Sequence, residues 1–233
     1  MPLASEVRRP SLLPPRKGVF DSFLVLYAPL WHPQLSVSPF TSLNPGTQHS
    51  CTVTGATWGP TGRAFDGVDD LINPGRPASL LITGDLSILC WVKVNNLTAN
   101  QIIIGQHSAA GYTGLYALMV RVTTGKIFFY RGNGVNAEVS VNGNVSLVAG
   151  TYYHLALTVS GVTVRSYVDA VLDMDGNHGA VTVTDAGTDI RIGYPKYLSE
   201  GLNGTLGEVW LYNRLLSIGE IQQTYQATKW RYI

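Results

Sequence analysis

Short apolar or alternating runs recur along almost the whole chain from about residue 21 onward. They are rich in β-branched and aromatic residues, which are typical of strands. Tight-turn pairs such as Asn-Gly, Asp-Gly and Ser-Gly separate many of them. Ten or more short strands joined by such turns predict a β-sandwich or jelly roll. The runs are FLVLY 23–27, LSILCWVKV 86–94, QIIIG 101–105, LYALMVRV 115–122, KIFFYR 126–131, AEVSV 137–141, YYHLALTVS 152–160, VTVRSYVD 162–169, DIRIG 189–193 and TLGEVWLYN 205–213.

Only the segment 217–230 has a helical pattern. Ile218, Ile221 and Tyr225 recur there at roughly helical spacing. Ser217 and Glu220 have the spacing of a capping box, in which each side chain satisfies a free backbone N–H group of the first turn. The pattern predicts one short helix near the C-terminus.

Residues 1–20 differ from the rest of the chain. They contain four of the twelve prolines and four basic side chains against one glutamate. Proline excludes a helix interior or a central strand, so the segment is expected to be an extended arm, with an ordinary disordered tail as the alternative. We therefore divide the chain into an arm, 1–20, and one jelly-roll domain, 21–233. The residues of the arm expected to contact a partner protein are Arg8, Arg9, Leu12, Leu13, Arg16 and Lys17.

Composition narrows the class of protein. The chain is 45% hydrophobic and only 13% charged, with a net charge of +1. Such a chain can bury a large core but has no overall field that attracts nucleic acid. It has no apolar run long enough to span a membrane, and we expect no signal peptide. The two cysteines, Cys51 and Cys90, are expected to be free thiols, and Cys90 lies on the apolar face of its predicted strand.

Several motifs follow one another in the order of a known family. They are GRAFDGVDDLI, LSILCWVKV, GLYALMV…GKIFFY, YYHLALTVSGVTVRSYVDAVL, DIRIGY and LNGTLGEVWLYNRLLSIGEIQQTY. Over about residues 50–226 the chain resembles a laminin-G-like, concanavalin A-like lectin/glucanase jelly roll. The resemblance implies an all-β sandwich of two antiparallel sheets. The front stretch, FLVLYAPLWHPQLSVSPFTS…CTVTGATWGPTGRAFDG, also resembles jelly-roll modules of tailed-phage and metagenomic virion proteins.

The resemblance also implies a possible calcium site. In some relatives the aspartate of FDG, here Asp66, holds calcium together with carboxylates near the last strand. Gly207 stands where those relatives often have an aspartate, so one potential ligand is missing. Asp66 and Glu208 are the candidate Ca²⁺ ligands. The alternative is that Asp66, Asp69 and Asp70 serve only the local turn; no other cofactor is expected.

The carboxylate of Glu208 is expected to have a binding partner. It alternates with Leu206, Trp210 and Tyr212, which predicts one common strand face and partial burial. A buried carboxylate is costly unless it meets a cation, a metal or several N–H donors. Because related folds bring the two segments together, we expect Arg63 to form a structural ion pair with Glu208.

The motifs of the common enzyme classes are missing from the chain. Glucanases on this fold place paired carboxylates on one strand, whereas the five glutamates here, at positions 6, 138, 200, 208 and 220, lie far apart in sequence. The chain also has no G-x-S-x-G, H-E-x-x-H or Walker motif. We expect a protein that is not an enzyme.

Two functions fit these observations. The first is a virion-associated structural protein, a capsid decoration or fibre subunit, that contacts other virion proteins through the arm, forms a homo-oligomer and contacts host glycans. The second is a secreted or cell-surface module that binds carbohydrate. Loop aromatics and amides that suit sugar recognition are Tyr112, Tyr194, Tyr197, Asn133, Asn136 and His178.

Overall fold

In a computed structural model of the protein, the described residues are 20–107, 113–135, 138–195 and 200–233. The predicted arm lies outside them except for Phe20, as do the candidates Tyr112, Asn136 and Tyr197. The strands are β1 Leu24–Pro29, β2 Phe40–Thr41, β3 Ser50–Thr54, β4 Thr57–Gly59, β5 Gly62–Asp66, β6 Leu71–Gly75, β7 Leu86–Val94, β8 Gln101–Gln106, β9 Ala117–Val120, β10 Ile127–Gly132, β11 Glu138–Asn142, β12 Tyr152–Ser160, β13 Thr163–Val168, β14 Val171–Asn177, β15 Ile190–Ile192 and β16 Asn203–Tyr212.

The strands form two antiparallel sheets of eight strands each. The first has the order β14-β13-β12-β7-β16-β5-β4, with β1 also paired to β16; the second has the order β11-β10-β9-β8-β15-β6-β3-β2. The last strand, β16, therefore joins the beginning of the chain to its middle, since it pairs with β1, β5 and β7. The predicted all-β jelly-roll sandwich is confirmed.

The core fills the space between the two sheets. Alternate residues of β7, including Ile88, Cys90 and Val92, belong to one continuous buried cluster with Phe65 and Leu206. Both cysteines are buried free thiols, and burial raises the pKa of Cys51 to about 12. The predicted apolar face of β7 is confirmed.

A second apolar cluster covers the outer face of the first sheet. The helix α1, Ile218–Thr228, lies over this face, and Trp91 of β7 donates a hydrogen bond of 2.8 Å to the Thr228 hydroxyl. The predicted capping box of Ser217 and Glu220 is present. None of the described helices is both long and apolar enough to cross a membrane.

A β-bulge interrupts β16 at Gly207. The register of β16 against β7 shifts between Leu206 and Glu208. Leu206 and Val209 therefore both face the inner core, while Glu208 and Trp210 face outward. The predicted common face for Leu206 and Glu208 is wrong, because the extra residue reverses the alternation.

Candidate functional site

The Asp66–Asp70 turn connects β5 to β6 at one end of the sandwich. The Asp66 carboxylate accepts a hydrogen bond of 2.8 Å from the Val68 N–H, and the Asp70 carboxylate accepts one of 2.8 Å from the Asp66 N–H. Gly67 has a φ of +85°, which glycine adopts without strain. Asp66 and Asp70 therefore have the turn role that was one of the two sequence interpretations.

The same turn gathers three carboxylates. Asp66, Asp69 and Asp70 each place one oxygen within 4.8 Å of the others. Asp66 and Asp69 are exposed, whereas Asp70 is buried, and its burial raises the pKa of the carboxyl group. Calcium takes six to eight oxygen ligands, and one Asp70 oxygen already accepts an N–H. The trio supplies a minority of the ligands that Ca²⁺ requires, and calcium binding stays a prediction.

Glu208 cannot complete that set. Asp66 lies opposite Asn203 on β16, and Glu208 lies five residues further along this strand. At a strand rise of roughly 3.3 Å per residue the backbone positions of Asp66 and Glu208 are about 15 Å apart, too far for both side chains to reach one ion. The predicted sharing of one ion by Asp66 and Glu208 is therefore wrong.

Tyr194 lies beside the Asp66–Asp70 turn. A Cβ atom on Gly201 would lie 2.7 Å from the Gly67 carbonyl oxygen and 2.9 Å from Tyr194 Cδ2. Only glycine fits between the turn and the tyrosine ring, which is half-buried. Tyr194 was predicted as a glycan-binding residue and Asp66 as a calcium ligand. The fold brings the two residues to one surface.

Two asparagines complete this edge of the sandwich. Asn203 donates a hydrogen bond of 3.0 Å from its side chain to the Asp66 carbonyl, and its side-chain oxygen accepts one of 3.0 Å from Asn95. No pattern in the sequence marks Asn95 or Asn203 as a site residue. We call the surface formed by Asp66, Asp69, Tyr194, Asn95 and Asn203 the tyrosine–aspartate rim. It combines an aromatic face with amide and carboxylate groups.

The remaining described glycan candidates lie elsewhere. The Asn133 side chain accepts a hydrogen bond of 3.1 Å from the Val135 N–H, which is a turn contact. His178 is buried and lines a cavity near Gly84, just before β7, whereas Asn95 just follows β7. A strand of nine residues separates these two ends by about 30 Å. The structure therefore does not bring His178 to the rim.

Arg63 does not pair with Glu208. It faces the inner side of its sheet and donates hydrogen bonds to the carbonyls of Ala56 (2.8 Å), Val37 (3.0 Å) and Leu35. The predicted ion pair is wrong because the bulge turns Glu208 to the outer face. Arg63 instead ties three backbone segments together.

Glu208 is enclosed by the C-terminal segment. Its carboxylate forms an ion pair with Arg231 and accepts hydrogen bonds from the hydroxyls of Tyr27 (3.1 Å) and Tyr232 (3.2 Å). Arg231 also lies 3.6 Å above the Trp31 ring. Burial raises the pKa of Glu208 to about 6, although Arg231 opposes the rise. With 1% of its surface exposed, Glu208 is inaccessible to a substrate.

Solved structures with the same fold include binding domains and a part of a glycosidase. Domain 4 of AbnA, a GH43 extracellular arabinanase from Geobacillus stearothermophilus solved in complex with arabinotriose, is 18% identical with a TM-score of 0.63, and the match covers 87% of this chain and 98% of that domain. The botulinum neurotoxin serotype D binding domain is 15% identical with a TM-score of 0.66 over 88% of this chain and 52% of that one.

The sialidase of Trypanosoma rangeli is 19% identical with a TM-score of 0.66 over 91% of this chain, which spans only 34% of that protein. These identities establish a shared fold alone. No curated protein sequence matches the chain. A family model described as the concanavalin A-like lectin/glucanases superfamily matches residues 48–222, three quarters of the sequence. The chain therefore belongs to the concanavalin A-like lectin/glucanase superfamily.

Proposed function

We propose that the protein is a non-catalytic carbohydrate-binding module that recognises a glycan at the tyrosine–aspartate rim. The observation that carries the proposal is the contact of Tyr194 with the Asp66–Asp70 turn through Gly201. A sugar ring has an apolar face that stacks on an aromatic side chain, and its hydroxyls bond to carboxylate and amide groups. The rim offers both on one surface, where Gly201 lies between Tyr194 and the Asp66–Asp70 turn.

The fold comparisons support the same class of function. The match covers almost the whole of an arabinanase domain that was solved with arabinotriose. A toxin binding domain shares the fold as well. Arabinotriose is therefore a reasonable first probe, followed by other plant and host oligosaccharides.

The arrangement of Glu208 supports a protein without hydrolase activity. A glycosidase needs two carboxyl groups on opposite sides of an accessible sugar bond. Glu208, the buried glutamate with a raised pKa, is sealed by Tyr27, Arg231 and Tyr232. Sustained hydrolysis of an arabinan or β-glucan that disappears in Glu208→Gln would contradict this part of the proposal.

The decisive experiment is calorimetric titration or glycan-array binding with wild type and Tyr194→Ala. We expect the affinity of the variant to fall by about two- to twelvefold, because a stacked aromatic face typically contributes 0.5 to about 1.5 kcal/mol beyond the area it buries. Trp230→Ala is the matched control, since Trp230 is 56% exposed on the C-terminal segment. Equal affinity in wild type and Tyr194→Ala would refute the rim as the binding site.

The virion role remains a prediction. It depends on the arm, and residues 1–19 lie outside the described residues. Co-sedimentation of the intact chain with a phage capsid, lost on deletion of residues 1–18, would favour it over the carbohydrate module.

A further inference from the structure

A cavity of about 410 Å³ lies at the end of the sandwich opposite the rim. Its walls come from the segment before β7, the end of β10, the turn between β12 and β13, and the segment after β14. The lining includes Arg131, His178, Asp85 and Ala180. The volume is within the roughly 300–1,000 Å³ of small-molecule sites in proteins.

Arg131 is a buried cation beside this cavity. The residue is only 2% exposed, and its guanidinium donates to the carbonyls of Gly84 (2.6 Å) and Thr83 (3.4 Å). The Nε atom has no hydrogen-bond partner. Burial lowers the pKa of Arg131 to about 10, so the side chain stays charged at neutral pH.

Among the described residues, Asp85 is the carboxylate that acts on this charge. None of the ion pairs between described residues includes Arg131. Asp85 attracts it electrostatically, but Asp85 is exposed and therefore screened by water. Buried charges in proteins are normally paired, so this weakly compensated guanidinium favours an anionic ligand in the adjoining cavity.

His178 adds neutral polar groups to the same wall. It is 6% exposed, and backbone groups of Gly161 and Gly179 lie beside its ring. Burial, together with the nearby Arg131, lowers the pKa of His178. The neutral imidazole offers one donor and one acceptor, which suits hydroxyl groups rather than a second charge.

We propose that this cavity binds a hexuronic acid, with the sugar carboxylate paired to Arg131 and the hydroxyls bonded to His178 and Asp85. The pairing needs a small rotation of the guanidinium or of the imidazole toward the cavity, because the Arg131 Nε atom and the His178 ring nitrogens are covered in the free protein. This cavity is separate from the tyrosine–aspartate rim, so the proposal for one site can be refuted while the proposal for the other remains.

The test is titration of the intact chain with D-glucuronate, followed by calorimetry and by the rise in melting temperature that ligand binding produces. D-glucose tests whether the carboxylate is required, and acetate tests whether the sugar is required. We expect saturable binding of glucuronate and at least tenfold weaker binding of glucose and of acetate.

Two variants locate the site. Ala180→Trp places a large side chain on an exposed part of the cavity wall, and it should abolish glucuronate binding while the melting temperature is kept. Ala227→Trp, on the exposed side of α1, should bind normally. Arg131→Lys should weaken binding at least tenfold, because an ammonium cannot form the paired hydrogen bonds of a guanidinium.

The result that overturns the proposal is no glucuronate binding at tens of millimolar, or equal binding of glucose. Binding that survives in Ala180→Trp would also refute this location. If Arg131→Lys fails to fold, the comparison of Ala180→Trp with Ala227→Trp still decides the question.

Discussion

The buried ion pair at the C-terminal segment predicts an unusual pH dependence of stability. Glu208 is 1% exposed, and its pKa rises from an ordinary value of 4.5 to about 6 in the folded protein. The folded state thus keeps the proton of the Glu208 carboxyl group over a range of pH in which the unfolded state has released it. The contribution of Glu208 is fully present below pH 4.5 and is lost as the pH rises through 6.

The magnitude follows from the same two values. At about 1.4 kcal/mol per pH unit, Glu208 removes about 2 kcal/mol from the free energy of unfolding between acid and neutral pH. Glu208→Gln abolishes the titration but keeps a side chain of the same size. The variant loses the ion pair with Arg231. Its glutamine side chain has no group that titrates, so position 208 contributes no pH dependence.

The assay is urea unfolding at a series of pH values between 4 and 8, followed by tryptophan fluorescence. The observable is the difference in unfolding free energy, wild type minus Glu208→Gln, which should fall by about 2 kcal/mol across the range. The difference is needed because burial lowers the pKa values of His107 and His154 to about 3. These two histidines make the free energy of unfolding rise with pH. Subtracting the curve of the variant from that of the wild type removes their contribution.

Glu220→Gln is the matched control. The pKa of Glu220 is lowered, although its partial burial alone would raise it, because Arg214 and Ser217 bond to the carboxylate. Its contribution is therefore lost as the pH falls, and the corresponding difference should have the opposite slope. Parallel curves for wild type and Glu208→Gln between pH 4 and 8 would refute the reasoning.

Four further outcomes are expected. His154→Phe should move the midpoint of acid unfolding to lower pH, because the buried neutral imidazole, whose pKa is about 3, must otherwise gain a proton on unfolding. Gly207→Ala should lower stability by roughly 1–3 kcal/mol in thermal melts, since its Cβ would lie 2.3 Å from the Tyr232 hydroxyl, while Gly46→Ala, with open space around it, should not. Addition of a calcium chelator should leave the melting temperature unchanged, and a large calcium-reversible drop would contradict this. Deletion of residues 1–18 should leave the melting temperature within a few degrees of that of the intact chain; unfolding would mean that the arm braces the domain.

Local patterns were enough to predict the fold class and ten of the sixteen described strands, but not β2 to β6 or β14. The alternation in 86–94 placed Cys90 on a buried face, and the spacing of Ser217 and Glu220 identified the start of α1. These features depend on neighbours within a few residues, because side-chain direction repeats with the period of the strand or helix. The family followed from the order of such motifs.

Contacts between distant segments could not be predicted in the same way. The bulge at Gly207 moved Glu208 to the outer face, so its partner is Arg231 rather than Arg63. A single inserted residue reverses which side of the sheet every later side chain faces, and nothing in the local alternation marks it.

The sites likewise depend on the tertiary structure. Tyr194 and Asp66 are 128 positions apart in the sequence, and only the packing at Gly201 shows that they share one rim. In the sequence, Arg131 is an ordinary basic residue of a strand. In the structure, segments before β7 and after β14 bury its side chain beside the cavity. The sequence by itself determined the fold class and the residue types available for binding. The tertiary structure decided which of them meet, because pairing across sheets and burial of charge are properties of the whole chain.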